Sequence, residues 1–192
     1  MPNKDKGLAS VGFLREAFMV KRYHTVPHLA ITETVGHHTC NVMALLFFLF
    51  DDHPPLYLVR HALHHDAAEL VTGDIPATAK WRFSSLAKAV EAAEYEVAEA
   101  ANLENAELEP LHRDILKYAD IMDLCFKSVE EIASGNLPFT HILSNGVNYA
   151  RALLEGSLKS HNPSQQLWLI LCANEYVSIN SFISLENNDV KH

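Results

Sequence analysis

Cysteine is scarce in this chain: Cys40, Cys125 and Cys172 make an odd set too small for a disulfide framework. All three fall in apolar segments with helical spacing, which predicts buried thiols in a reducing compartment. Glycine and proline are also few, 7 and 8 of 192 residues, and no period of roughly 20–50 residues repeats, so collagen-like, low-complexity and solenoid architectures are excluded. Cations are the minority charge, 15 Lys plus Arg against 24 Asp plus Glu, for a formal net charge of −9. A surface that acidic repels a phosphate backbone, which argues against long nucleic acid as a partner. The longest unbroken apolar run, Val42 to Phe50, falls well short of the roughly 18–20 residues needed to cross a bilayer, and the start, MPNKDKGLAS, is polar. A cytoplasmic protein with no membrane partner is the expectation. What the chain has in abundance is histidine, 12 residues, more than structural roles require.

Apolar residues recur at helical spacing almost throughout, and no stretch alternates long enough to read as a half-buried strand. The expected fold is all-α: one domain over residues 1–185, built as a bundle of six or seven helices, with a polar tail at 186–192. A first helix is expected over Ser10 to Val20, then an irregular stretch of about a dozen residues through Pro27, long enough to be functional. Further helices are expected from about His37 to Asp51 and from Leu56 to Val71. Pro54-Pro55 separates these two, and Gly73 stands at a C-terminal left-handed position. A second irregular stretch, Gly73 to Trp81, contains Lys80. Ser84 or Ser85 would cap a long helix with Leu86, Val90, Ala93, Val97 and Ala101 on one face. The clearest core helix opens near Pro110 and carries Ile115, Ala119, Met122, Phe126, Val129 and Ala133 in 4-3-4-3-4 steps. Two more, about Pro138 to Ser160 and Pro163 to Ile183, complete the bundle.

Chemistry concentrates in His64-His65-Asp66, set inside the apolar stretch LVRHALHHDAAEL, because imidazole and carboxylate are poor core residues unless paired or metal-bound. A second pair, His37-His38, opens the preceding helix, and Asp120 sits in the buried-looking run KYADIMDL. Imidazoles on two helices with a distant carboxylate on a third is how a helical bundle builds a central metal site, and the ligand set read here is His38, His65, Asp66 and Asp120. Each has a plainer reading. A lone histidine is more often a hydrogen-bonded core or surface residue, and Asp120 could instead pair with Lys117 or Lys127. His61 and His65 are spaced as an HxxxH pair, but no Glu follows His61, so the metalloprotease pattern is absent. Glu69, four residues beyond His65, would project from the same helix face as an acid–base group, or serve only as a surface carboxylate.

The order His38, His65-Asp66, Asp120 resembles the H…HD…D signature of the HD-domain phosphohydrolases. More narrowly, TETVGHHT, HHDAAELVTGDIPATAK and KYADIMDLCFKSVEEIASGN, spread over Arg22 to Asn136, are similar to the YfbR-type 5′-deoxynucleotidases and their phage relatives. The resemblance implies a divalent metal, zinc, cobalt or manganese, at His38, His65, Asp66 and Asp120. It implies a catalytic carboxylate at Glu69, a supporting one at Asp74, and nucleotide contacts from Arg22, Tyr23 and Lys80. It further implies cleavage of a deoxynucleotide at the α-phosphate and assembly as a homo-oligomer, a dimer or larger ring. Two positions depart from the pattern: His37 stands where Glu is usual before the first metal histidine, so either imidazole of that pair could reach the metal, and Tyr23 stands where Trp is common. KRYHTVP and GDIPATAKW are closer to the phage-encoded branch that includes dATP triphosphohydrolases, which favours a dNTP over a dNMP as substrate and would place the protein in a host cytoplasm. The alternatives are a dNMP 5′-nucleotidase, a cyclic-nucleotide or (p)ppGpp hydrolase, and a non-catalytic nucleotide-binding module. No P-loop, GxSxG elbow or Rossmann fingerprint is present.

Overall fold

The computed structural model describes residues 4–103 and 106–173. Among these the protein is all-α, with helical segments α1 (Lys4–Ala17), α2 (Val35–Leu49), α3 (Leu56–His64), α4 (Glu69–Thr72), α5 (Ala77–Arg82), α6 (Ser84–Ala100), α7 (Pro110–Ala133), α8 (Phe139–Glu155) and α9 (Asn162–Ala173). Anything beyond 173 in the last expected helix, and the tail at 186–192, lies outside the described residues. No described helix is long and apolar enough to cross a membrane. The described residues gather into two compact units: those within 4–26, 32–43 and 55–107 form the first, and those within 27–31, 44–54 and 108–173 the second.

In the first unit α6 packs on α4 and α5, and α1 on α4. Ala17, Ala67 and Leu103 make a small buried nucleus that Phe13, Leu14, Leu70, Ala98 and Ala101 surround, and Ser10 Oγ donates to the Ala101 carbonyl at 2.8 Å. The first helix starts and stops earlier than expected because the chain beyond Ala17 has a competing partner. Val35 N–H donates to Val20 O (2.8 Å), Gly36 N–H to Phe18 O (3.1 Å) and Arg22 N–H to Glu33 O (3.0 Å). Lys21 and Thr34 thus form an isolated antiparallel bridge, and the irregular stretch closes on itself at its base. Residues 73–81, expected to be irregular, contain α5, which carries Lys80. The N-cap of α6 is Phe83, with no side-chain capping bond, so neither Ser84 nor Ser85 caps it.

The single helix expected over Leu56 to Val71 is two. Pro55 is the N-cap of α3, as its fixed φ suits, but α3 stops at His64 and the next four residues form turns. Ala67 N–H bonds to His64 O, Glu69 to Asp66, Leu70 to Ala67 and Val71 to Ala68, all from residue i+3 to residue i. The chain is wound tighter than an α-helix through the histidine–aspartate pair. Gly73 then ends α4 at φ 73°, ψ 161°. Its φ is positive, as expected, but its extended ψ throws the chain away from the helix instead of curling it into a left-handed cap.

In the second unit α7 packs along α8 and contacts α9. The α7–α8 approach depends on Gly146, where a Cβ would lie 2.7 Å from Leu124 Cδ2 and 2.8 Å from Cys125 Sγ. The expected stripe on α7 is buried at Ile115, Ala119, Met122 and Val129, but so are Asp123, Lys127, Ser128 and Glu131, so the helix is enclosed on more than one side. The Tyr118 hydroxyl donates to Ser164 O at 2.9 Å and ties α7 to the start of α9. Leu49 ends α2, two residues earlier than expected, ahead of Asp51 and Asp52, both at positive φ. Asp52 N–H reaches back to Phe47 O at 2.8 Å, so a left-handed turn, not the proline pair, terminates this helix. Of the cysteines only Cys125 is buried; Cys40 and Cys172 are exposed, a correction to the expectation of three buried thiols. Helical spacing set them on helices but did not say which face each would occupy.

The strongest polar cluster of the second unit is built on fully buried Glu131. Its carboxylate accepts from Leu29 N–H (2.9 Å), Ala30 N–H (3.3 Å) and Asn136 Nδ2 (2.8 Å), meets Lys127 Nζ at 2.8 Å, and lies 3.2 Å from His28 Nδ1. Lys127 also donates to Ile31 O and Asn136 to Pro27 O, so residues 27–31 are tied to the end of α7 by both their amides and their carbonyls. Burial alone would raise the Glu131 pKa. The Lys127 ammonium and the donors from Leu29, Asn136 and Ala30 outweigh it and hold the carboxyl well below its ordinary range. A depressed carboxyl stabilises the fold above its ordinary value of 4.5 and loses that contribution as the pH falls below it. Glu131→Ala, which strands a buried ammonium, should destabilise the protein at pH 7 by roughly 3–5 kcal/mol. Urea denaturation should show the gap from wild type narrowing below pH 4.5; a gap independent of pH would contradict this account of the cluster.

Candidate metal centre

Three donor atoms converge in the first unit. His38, fully buried on the first turn of α2, points Nε2 at His65 Nε2, 3.0 Å away, with ring centroids 5.0 Å apart. Asp66 Oδ2 lies 3.4 Å from each of these nitrogens. His65 Nδ1 sits 2.7 Å from the Ala62 carbonyl. A carbonyl can only accept, so Nδ1 carries the proton, and in the neutral ring Nε2 presents its lone pair toward His38. A first-row divalent ion about 2.0–2.1 Å from each donor requires separations of roughly 2.9–3.5 Å between them, for octahedral or tetrahedral geometry. The observed triangle meets that requirement. The Nδ1–H to carbonyl bond is the support that metal-bound imidazoles use to fix tautomer and ring orientation.

The tight winding after His64 sets where the next acid falls. At about three residues per turn, Glu69 is brought onto the side of Asp66, three residues earlier, rather than that of His65 as continuous α-helical spacing implied. Glu69 is buried, and its Oε2 has no hydrogen-bond partner among the described residues. Burial first, then the charges of Asp66 and Asp74, push its pKa up to about 8, against the opposing pull of Arg22 and Lys80. Without a bound cation this carboxyl is therefore protonated at neutral pH.

Buried Arg22 donates through Nη1 to Asp66 Oδ2, lies with Nε 3.4 Å from Glu33 Oε2, and stacks its guanidinium over the Tyr23 ring at 5.4 Å. It is thus engaged with protein groups, one of them the Asp66 carboxylate that faces His38 and His65. Tyr23 has φ 53° and donates its backbone N–H to Asp74 Oδ2 at 2.6 Å. Lys80, half-buried on α5, acts on Glu69 through its charge. Asp120 belongs to the second unit, where Lys117 Nζ donates to its Oδ2 at 2.6 Å, the pairing that helix spacing offered as its plainer reading. Of the two neighbouring imidazoles on α2, His37 is exposed and engages Thr34 three residues back, while His38 faces His65. His61 and His64 bond to the carbonyls of Ala106 and Leu103, so they anchor the chain after α6 and His61 is no partner for His65 in an HxxxH pair.

Glu33, the buried counter-charge to Arg22, and His24, whose Nδ1 lies 3.8 Å from Asp74 Oδ2, did not emerge from the sequence. The signal for Glu33 was a lone acid among β-branched residues in AITETV, but its partner is set by the bridge between Lys21 and Thr34.

Two imidazoles and a carboxylate meeting at one point, with a buried acid beside them, are a donor set of the kind that a metal-dependent phosphohydrolase of the HD-domain superfamily uses. A family model described as YfbR-like 5′-deoxynucleotidase matches residues 17–157, and the chain belongs to that family. No curated protein matches the chain. His38→Ala should weaken divalent-metal binding by more than the roughly 10–100-fold that loss of a supporting bond costs, with His37→Ala unchanged. Chelator competition at fixed pH reads the difference, and equal losses in the two variants would place the metal elsewhere.

Proposed function

We propose that this protein hydrolyses deoxynucleoside 5′-monophosphates to deoxynucleoside and phosphate. The metal is zinc, cobalt or manganese, held by His38, His65 and Asp66, with Asp120 completing the set as the order of the family motifs implies. The observation that carries the reading is the His38–His65–Asp66 triangle with the unpartnered Glu69 oxygen beside it. When bound, the divalent metal supplies Lewis acidity to the phosphoryl group and lowers the pKa of water in its shell. The remaining tasks fall to the protein. Glu69 carries a proton at Oε2 to the departing 5′-oxygen, whose developing charge must be quenched. Lys80 faces the phosphoryl oxygens as a point charge, Tyr23 lies against the nucleoside, and Arg22 keeps Asp66 fixed in orientation.

Charge balance favours the monophosphate. A phosphate monoester carries about −2 near neutral pH, whereas a triphosphate adds further negative charge beside Asp66, Asp74 and Glu33, with Arg22 already engaged by Asp66 and Glu33. The family's description as 5′-deoxynucleotidase points the same way. A second reading, dATP triphosphohydrolase, is favoured by the similarity of KRYHTVP and GDIPATAKW to the phage-encoded branch.

Incubation of purified protein with cobalt, manganese or zinc and a panel of dNMPs, dNTPs and ribonucleotides, followed by chromatography, tests this. Deoxynucleoside and inorganic phosphate from dNMPs are expected; tripolyphosphate from dATP would establish the second reading, and inactivity with every metal would overturn both. Glu69→Gln should lower kcat by roughly 10²–10⁴-fold while metal content stays at the wild-type level, and undiminished turnover would remove Glu69 from the proton path.

A further inference from the structure

We propose that Glu33 is a positioning residue for the metal centre, acting through Arg22 so that Asp66 can serve a divalent ion without giving up its guanidinium. The inference rests on the reading of His38, His65 and Asp66 as metal ligands, and on the structure for the charges around them. Asp66 presents one oxygen to both kinds of cation. Its Oδ2 takes the bond from Arg22 Nη1 and is also the oxygen that lies 3.4 Å from His38 Nε2 and from His65 Nε2. An ion among those donors would therefore share that oxygen with a guanidinium, and like charges so placed in a buried setting repel. For the site to take a second cation, the charge of the arginine has to be offset.

Glu33 is placed to offset it. The β-branched residues around it in ITETV suit extended chain, and the antiparallel bridge between Lys21 and Thr34 sets Arg22 directly opposite Glu33, a cross-strand pair of opposite charge. The pair is held twice: Arg22 N–H donates to Glu33 O at 3.0 Å, and Arg22 Nε lies 3.4 Å from Glu33 Oε2. Both residues are buried, Glu33 at 5% and Arg22 at 8% exposure, where charges persist only when paired. A carboxylate oxygen of Glu33 also lies within 4.8 Å of a ring nitrogen of His38, so the compensating charge sits beside the donors and not at the surface. Arg22 thus stands between two acids. Asp66 meets its Nη1 and faces the imidazoles, while Glu33 faces its Nε and draws on the charge that would otherwise fall wholly on Asp66.

Chelator competition for cobalt at fixed pH, on the full-length protein, tests this. Glu33→Gln keeps the shape of the side chain and removes its charge, and should weaken cobalt binding by roughly 10–100-fold, the range that loss of a partner behind a metal ligand costs. Glu91→Gln, which removes the same charge from an exposed position on α6, should bind as wild type does. Glu33→Asp restores the charge and should bind cobalt more tightly than Glu33→Gln. In an Arg22→Gln background, Glu33→Gln should cost no more than about threefold, because the group it acts through is gone. Wild-type affinity in Glu33→Gln, or Glu33→Asp as weak as Glu33→Gln, would overturn the proposal. So would an equal loss with and without Arg22, which would mean that Glu33 acts on the ion itself. Crystals of the cobalt-loaded wild-type protein read the arrangement without a substitution: Arg22 should still bridge Glu33 and Asp66, and Arg22 withdrawn from Glu33, or Glu33 within coordination distance of the ion, would overturn it. A wild-type protein that binds neither cobalt, manganese nor zinc would instead overturn the metal reading, and the proposal with it.

Discussion

Two imidazole nitrogens 3.0 Å apart, with a carboxylate oxygen 3.4 Å from both, cannot all be neutral lone-pair donors facing one another. A proton or a cation has to stand among them. His65 is committed by its bond to Ala62, which places its proton on the far nitrogen and leaves its near one electron-rich. His38 is fully buried, so water cannot relieve the repulsion on its side. The neighbouring structure follows from meeting this demand. Helix α3 gives up its regular winding at His64, and the two residues that follow, His65 and Asp66, both present ligand atoms to His38.

The same tight winding decides the chemistry next to the donors. It aligns Glu69 with Asp66, and burial first, then the charges of Asp66 and Asp74, keep the proton on Glu69 against the pull of Arg22 and Lys80. Arg22 bonds Asp66, while Glu69 Oε2 has no hydrogen-bond partner among the described residues. Two acids three residues apart are thus set in different surroundings, one against a guanidinium and the other buried without a bond to it.

The all-α fold and most helices were legible in the sequence, because apolar spacing reports which residues face a core: Val90 on α6 and Ile115, Ala119, Met122 and Val129 on α7 are buried where the periodicity put them, while Ala133, at the end of the α7 stripe, is exposed. His38, His65 and Asp66 stood out in the sequence as well, since imidazole and carboxylate in an apolar segment need partners, although each also had a plainer reading there, and the structure brings the three together. What the sequence hid depends on contacts between distant positions. LVRHALHHDAAEL has unbroken helical periodicity, and the departure at His64 is set by long-range partners such as Leu103 and Arg22. The end of α1 is decided by residues 34–36, and the exposure of Cys40 and Cys172 by which helix faces are covered. Nothing in KSVEEIASGN marks Glu131, yet its carboxylate meets five donors, three of them on residues 28–30, because a carboxylate's capacity shows only when its partners are in place.

The central claim is that His38, His65 and Asp66 form one metal site. Anomalous diffraction from crystals of the cobalt- or zinc-loaded protein tests it most directly. The account predicts a single dominant peak within coordination distance of both Nε2 atoms and of a carboxylate oxygen of Asp66. A dominant peak at other histidines, or none beside His38 and His65 in protein shown to contain stoichiometric metal, would contradict it.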